Sequence, residues 1–304
     1  MNMHDHRRTH LSVFMLVGSL SAFGQGQNVV VSGYGTGSIY EFTPSGERSL
    51  VASWPAWSGP VGLAFDGVGN LYASQITSGS IYRFTRDGQE SVFATGPFYP
   101  GDLAFDGSGN LFVSDFSGAI HKFAQDGTRT VFASGLVNPQ GLAFDSVGSL
   151  FVSSYTTGEI YRFTPDGRQT TFASGLSGPI GLAFDQVGDL FVAAEDGGAI
   201  IRFAPDGSRT TFASDLLYPI GIDFDDAGSL FVSDLGRGAV YRYTPDGVRS
   251  TLATGLYYNT MLAVEPIPLV PETGSPIWLI SGMGLAAGLT STARHRRASR
   301  RSPS

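Results

Sequence analysis

The chain contains no cysteine, so its fold rests on neither disulfides nor thiolate metal sites. This does not argue for the cytosol, because an exported protein with a large enough core needs no disulfide. Histidine is nearly missing as well. Four of the five lie close to the two ends, which leaves His121 alone in the body of the chain. The usual general base is therefore scarce, and a lyase working through histidine is disfavoured. No Ser-His-Asp set, metalloprotease motif, phosphate loop or dinucleotide fingerprint is present. Gly33-Tyr34-Gly35-Thr36-Gly37 is glycine-rich but falls between strand patterns, so it reads as a loop. Charged residues amount to only 15% against 12% aromatics, which excludes wholesale disorder and allows a large core. Helix formers are sparse, while 41 Gly and 22 Phe favour many short strands joined by tight turns.

The net charge of −7 hides an asymmetry. Seven arginines flank the body, at Arg7, Arg8, Arg294, Arg296, Arg297, Arg300 and Arg301. Between residues 25 and 274, 12 basic side chains face 25 acidic ones, a balance of −13. Such a body repels nucleic acid and anionic membrane surfaces, so nucleic acid is excluded as a partner.

What is present begins with two terminal addresses. His6-Arg7-Arg8 precedes an apolar run from Leu11 to Phe23, and Ala22-Phe23-Gly24 offers small residues before a cut at Gln25. Residues 1–24 therefore read as a secretory signal. The alternative is a short buried N-terminal segment; export is favoured because the run is too short to span a bilayer unaided and strand patterning follows it directly. At the other end, Val270-Pro271-Glu272-Thr273-Gly274 is followed by an apolar stretch over 276–293 and by Arg294-His295-Arg296-Arg297. The stretch is near the lower limit for a spanning helix, and the arginines would hold its end on the cytoplasmic side.

Between these ends the chain repeats itself. The turn glycine of a Phe-Thr-Pro-Asp-Gly element recurs at Gly46, Gly88, Gly127, Gly167, Gly207 and Gly247, about forty residues apart. One unit, Gly141 to Pro179, reads as four short strands. Ser146-Val147-Gly148-Ser149 turns between the first two, and Pro165-Asp166-Gly167 turns between the last two. Four strands in forty residues form a β-propeller blade, and six units predict an all-β, six-bladed β-propeller over 25–266. The first unit lacks a first strand and the last unit stops after one. Residues 261–265 are therefore expected to pair with 28–32 in a shared blade, leaving no open edge.

The unit Pro-x-Gly-Leu-Ala-Phe-Asp-x-x-Gly-x-Leu-Phe-Val-Ser resembles NHL repeats and the related SMP-30/gluconolactonase propellers over roughly 28–265. Pro60, Pro139, Pro179 and Pro219 match its opening, as does Pro100. The resemblance implies a six-bladed ring. It leaves function open, because such propellers host hydrolases, lyases and pure binding modules. Over its last thirty-five residues the chain resembles PEP-CTERM sorting signals, with Thr273 where proline is commonest. It is also similar to the Leu-Pro-x-Thr-Gly signals of sortases, with Val270 in place of leucine. The first resemblance implies an exosortase-type processing enzyme as partner, in a Gram-negative bacterium that makes exopolysaccharide. The body would then lie in the periplasm, on the outer surface or in the extracellular matrix. A plain membrane anchor is the simpler alternative. The expected division is a 1–24 signal peptide, a 25–266 propeller, a 267–275 linker with the sorting motif, a 276–293 transmembrane helix and a 294–304 basic tail. A monomer is expected.

Candidate functional residues follow from the repeat and its departures. Asp66, Asp106, Asp145, Asp185 and Asp225 recur at one place and read as turn acceptors for backbone N–H groups. Arg83, Lys122, Arg162, Arg202 and Arg242 recur on third strands and read as snorkelling side chains. One asymmetric site needs unlike residues at equivalent places. The position closing the second strand is Gly33, Gln75, Asp115, Ser154, Ala194 and Asp234, with Glu195 next to Ala194. Asp102 replaces the Gly of the Pro-x-Gly step. Asp102, Asp115, Glu195 and Asp234 together offer oxygen ligands for one hard cation, most plausibly Ca²⁺, as in a metal-assisted lactonase. The competing reading makes them solvated rim acids. Trp54, Trp57, Tyr99, Tyr218, Tyr257 and Tyr258 lie in loops before first strands, where they either stack on sugar or apolar ligands or cap the core. The two functional expectations are a surface binding or scaffold module near polysaccharide or a surface protein, and a lactonase-like hydrolase.

Overall fold

The local rule is a hairpin whose turn is held by one aspartate. Asp66 Oδ1 accepts the N–H groups of Val68 and Asn70, at 3.1 and 2.8 Å, while Gly69 takes a left-handed backbone. Asp106, Asp145 and Asp185 repeat the same pair of bonds, and Asp225 receives the Ser229 N–H. The recurring aspartates are thus turn acceptors, as their spacing implies. The computed structural model describes residues 26–96 and 98–267. The signal peptide, the Val270–Gly274 sorting motif, the 276–293 helix and the basic tail lie outside the described residues. Among the described residues no helix is long and apolar enough to cross a membrane.

Six four-stranded antiparallel sheets form the ring. Their first strands, Pro60–Phe65, Pro100–Phe105, Pro139–Phe144, Pro179–Phe184, Pro219–Phe224 and Asn259–Val264, neighbour one another around the central channel. The last of these closes the blade of the first three strands of the chain. Val29, Val30 and Val31 face Val264, Ala263 and Leu262. The expected seam is therefore present, with the strand starting two residues earlier, at Asn259. Outer strands expose Thr, Ser and Arg, which blunts the six outer edges.

Adjacent blades interlock through aromatic rings. Phe112 on a second strand meets Phe132 of its own fourth strand and Phe144 of the next blade at 5.1 and 5.0 Å, both edge-on. Phe151 and Phe191 repeat this geometry. The third-strand cations lie over those rings, Arg162 at 5.7 Å from Phe151 and Arg242 at 5.8 Å from Phe231. The tips of Lys122, Arg162 and Arg242 reach the turn aspartates, as in Lys122–Asp106 at 3.5 Å, while Arg202 pairs with Asp189. They are therefore packing elements as well as snorkelling ones.

A second interlock is polar. Each first strand is irregular between its opening residue and its leucine-type residue, which frees a backbone N–H inside the ring. A buried serine takes it. Ser153 Oγ accepts from Gly141 N–H at 2.8 Å and donates to Ile180 O of the next blade at 2.6 Å. Ser74 and Ser233 repeat the clasp, and Ser32 makes it across the seam to Val61 O. Ala193 stands at this place in the fifth blade. Four of the six first strands have glycine at their third position, where the same closeness leaves no room for a side chain. A Cβ on Gly141 or Gly181 would collide with the carbonyl of Ile180 or Ile220.

Candidate functional site

The ring has two unlike faces. One carries the short Asp-anchored turns. The other carries the loops that enter first strands and the loops that leave second strands. These two loop sets are strapped together by one recurrent bond. The residue before the first strand offers its carbonyl to the N–H following the second strand, as in Tyr34 N to Tyr258 O at 3.0 Å and Leu235 N to Tyr218 O at 3.1 Å. Asn138 and Gly178 serve Tyr155 and Glu195 in the same way. At four of the straps the backbone is left-handed, with φ of 45° at Asn138, 60° at Gly178, 60° at Tyr218 and 55° at Tyr258, whereas Tyr99 makes its strap to Phe116 without it. Asn and Gly tolerate this conformation, whereas an aromatic residue in it is an outlier costing roughly 1–2 kcal/mol. Trp57 is a third such residue, at φ 63°.

These strained aromatics are exposed. Trp57 is 54% accessible and Tyr218 and Tyr258 are exposed too, with the unstrained Tyr99 and Tyr257 exposed beside them. Tyr34, Trp57 and Tyr258 form a stepped cluster, with ring centres 6.2 and 4.7 Å apart. Gly35 makes room for it, since a Cβ there would press on the Tyr258 ring at 2.7 Å. Aromatics occupy four consecutive inter-blade loops, and the remaining two carry Val137-Asn138 and Ser177-Gly178. The result is a crescent over one side of the loop face. Trp54 does not belong to it. Its ring packs on Tyr82 and Phe84 at 5.2 and 6.1 Å, in the core between blades, so it caps the interior.

The four candidate metal ligands do not converge. Among the described residues no three His, Asp or Glu side chains gather as a cation site. Asp115 turns into its own blade, accepting from Tyr99 N–H at 3.3 Å and Ser117 N–H at 2.9 Å and meeting His121 Nε2 at 3.0 Å. Burial raises its carboxyl, but those bonds outweigh burial and hold it below the usual range. Asp234 accepts from Leu217 N–H and pairs with Arg237 Nη1 at 2.8 Å. Gln75 and Ser154, at equivalent places, donate to Ser58 O and Val137 O. In four of the six blades the variable position is thus a post that ties the entering loop to its blade, each with its own hydrogen-bond chemistry, whereas Gly33 and Ala194 supply no side-chain bond there. This donor set does not fit one hard cation, which requires six or more oxygens around it.

Glu195 sits on the loop face away from the crescent, beside Tyr155 and Asp196. Burial and then Asp196 raise its carboxyl. Tyr155, bonded to Asp196 at 3.2 Å, is pushed up to about 12, first by burial and then by Glu195. His121 is buried against Phe98 and Asp115, away from either face.

Asp102 lies in the wall of the central channel, lining a cavity of about 400 Å³. Across the ring the same cavity is lined by Asp223, which sequence reasoning missed. The available signal was a carboxylate in place of the alanine of Gly-Leu-Ala-Phe-Asp. Tyr34 was also missed, having been read only as part of a loop.

No family model matches the chain, and no curated protein does. Solved structures match its fold. The chain is similar to a structure of a nidogen/laminin complex, at 22% identity and a TM-score of 0.72, over 79% of this chain and 99% of that one. It is similar to a streptogramin B lyase at 16% identity and TM-score 0.61, over 75% and 80% of the two chains. It also matches a protein of unknown function from Bacteroides caccae at 18% identity and TM-score 0.63, over 80% and 100%. At these identities the likeness is one of fold.

Proposed function

We propose that this protein is an exported, surface-sorted NHL-like propeller that binds polysaccharide with the aromatic crescent of its loop face. The reading rests chiefly on one observation. Trp57, Tyr218 and Tyr258 are held exposed on one face in a backbone conformation that disfavours aromatic residues. The strap bonds and the ring contacts of Trp57 offset part of this strain, but the ring faces stay open to solvent, which favours a ligand that covers them. Trp and Tyr present large rigid faces at small entropic cost, which suits them to contact planar patches of pyranose rings. Export and sorting are supported by the cationic, apolar and small-residue pattern of 1–24 and by the Val270–Gly274 motif with its apolar and basic sequel. An exosortase-type enzyme would be the processing partner.

A further solved structure of similar fold bears on a histidine-based lyase as the alternative. One virginiamycin B lyase structure is of a catalytically inactive variant in which histidine is replaced by alanine. Here the one body histidine is built into the interior of a blade, so that chemistry has no counterpart on either face. The lactonase reading loses its support with the dispersal of Asp102, Asp115, Glu195 and Asp234.

The test is a glycan array of acidic and neutral polysaccharides, followed by fluorescence titration that reads Trp57. Binding that weakens at least tenfold in Trp57→Ala and in Tyr258→Ala is expected. Silence across the array, or binding indifferent to both substitutions, would overturn the proposal.

A further inference from the structure

The channel cavity holds a second arrangement, independent of the crescent. Ile180, Ile220 and Met261 pack together with Tyr155 and Leu235 near the loop face, and this apolar plug separates the cavity from that face. At the other end the lining reaches Gly67 and Pro266, where the chain meets solvent. The cavity is thus a blind pocket entered from the turn face. Its volume falls within the range typical of small-molecule sites.

Its lining side chains are apolar apart from three acids, of which Asp66 belongs to a turn beside Gly67, and backbone polar groups share the wall. Leu63, Leu142, Leu182 and Leu262 line it, together with Asp102 and Asp223. Both acids are exceptions to the repeat. Asp102 stands where Gly62, Gly141, Gly181 and Gly221 allow adjacent first strands to close together. Asp223 stands where Ala64, Ala104, Ala143, Ala183 and Ala263 recur. They lie three blades apart and so approach the axis from opposite sides. Asp102 is buried; its Oδ2 accepts the Leu142 N–H of the next blade at 2.9 Å. Asp223 accepts from Val264 N–H and Phe224 N–H, both at 2.8 Å. No side chain among the described residues donates to either carboxylate, and no Arg, Lys or His lines the cavity. Burial pushes Asp102 up to about 7, and Asp223 adds to the rise. Burial likewise pushes Asp223 to about 6. Two unlike substitutions in separate repeats therefore bring uncompensated negative charge into one apolar pocket. A cation is the missing partner.

We propose that this channel binds a primary alkylammonium group, its nitrogen between Asp102 and Asp223 and its alkyl stem along the leucines. A hard metal ion fits less well. It calls for six to eight oxygens, whereas Asp102 already spends one oxygen on a backbone N–H, Asp223 both of its own, and Asp66 both within its turn. An ammonium has three donors and needs few acceptors, and its hydrocarbon stem matches the wall. The group can belong to a free amine or to a lysine side chain, and both carry the same chemistry.

Calorimetric titration of the protein at pH 8, where both carboxyls are ionised, tests this with n-butylammonium, an acetylated lysine amide, n-butanol and Ca²⁺ as probes. Butylammonium is expected to bind at least tenfold more tightly than butanol. Asp102→Asn and Asp223→Asn should each weaken it at least tenfold. Both are expected to fold, because asparagine still accepts the Leu142 or Val264 N–H. Binding of the lysine amide as well would assign the site to side chains; binding of butylammonium alone would assign it to free amines. Equal binding of butanol, no amine binding, or displacement of the amine by Ca²⁺ would overturn the proposal. Should a variant fail to fold, carbon-detected titration of the unsubstituted protein decides. Saturating butylammonium should lower both carboxyl midpoints by at least half a unit, and unmoved midpoints would equally overturn it.

Discussion

The serine clasps can be tested by a pair of substitutions of opposite sign. Ser153 is fully buried and joins Gly141 N–H to Ile180 O, so Ser153→Ala strands a donor and an acceptor inside the ring. Each lost bond is worth about 0.5–1.5 kcal/mol, and the unsatisfied groups bring the total to roughly 2–3 kcal/mol. In a body of this size the thermal midpoint should fall by about 4–12 °C. Ala193 occupies the matching place in the fifth blade, also fully buried, between Gly181 and the Ile220 carbonyl. Ala193→Ser supplies the absent hydroxyl in a setting where the five other blades seat one. It should therefore add about 1 kcal/mol, or roughly 2–4 °C. Scanning calorimetry at pH 7 and urea unfolding with an unchanged slope measure both effects. If Ala193→Ser lowers the midpoint as Ser153→Ala does, the hydroxyl is overpacking and the clasp argument fails. A neutral Ser153→Ala would refute it as well.

Three further outcomes are expected. Asp102 and Asp223 have carboxyls raised in the folded protein above the ordinary value of 3.8, so between about pH 4 and 7 the folded state binds more protons than the unfolded one. Stability should therefore fall as pH rises through that window, and unfolding midpoints of Asp102→Asn should show a shallower decline. Tyr218→Asn puts a residue tolerant of the left-handed backbone where the fourth blade already has Asn138; its midpoint should hold or rise by about 1–4 °C while polysaccharide affinity drops at least tenfold. Asp115→Ala removes the acceptor of Tyr99 N–H and Ser117 N–H and leaves His121 unpaired, so it should cost about 2–4 kcal/mol in urea unfolding without altering Ca²⁺ uptake, which calorimetry would check.

The blades and their seam were legible because each is a consequence of short-range chemistry repeated about every forty residues. Asp-x-x-Gly forces one turn, Pro-Asp-Gly another, and two incomplete end units complement each other. The seam strand starts at Asn259 rather than Met261 because Asn259 fills the place of the opening proline, a swap that hid its membership. The candidate site was less legible. Variation at Asp115 and Asp234 looked like asymmetry built for a ligand. It proved to be several chemical answers to one internal need, since a carboxylate, an amide and a hydroxyl can each tie down a loop. Trp54 and Trp57 are three residues apart, yet one faces the core and the other solvent, which the repeat pattern of short strands does not decide. Asp223 escaped notice because the channel wall is made by residues from six separate units, and only the closed ring reveals that its neighbour is Asp102.

The chain enters its first strand and leaves its last on the turn side of the ring, with Glu265 N–H bonded to Asn28 O at 2.9 Å. Both ends of the body thus emerge together, from the side opposite Trp57 and Tyr258. A molecule tethered through either end would stand like a dish on a stalk, its aromatic rim turned outward and its axial pocket facing back toward the support. Long polymers would be met on the far side, while only small solutes reaching the gap beneath could enter the pocket.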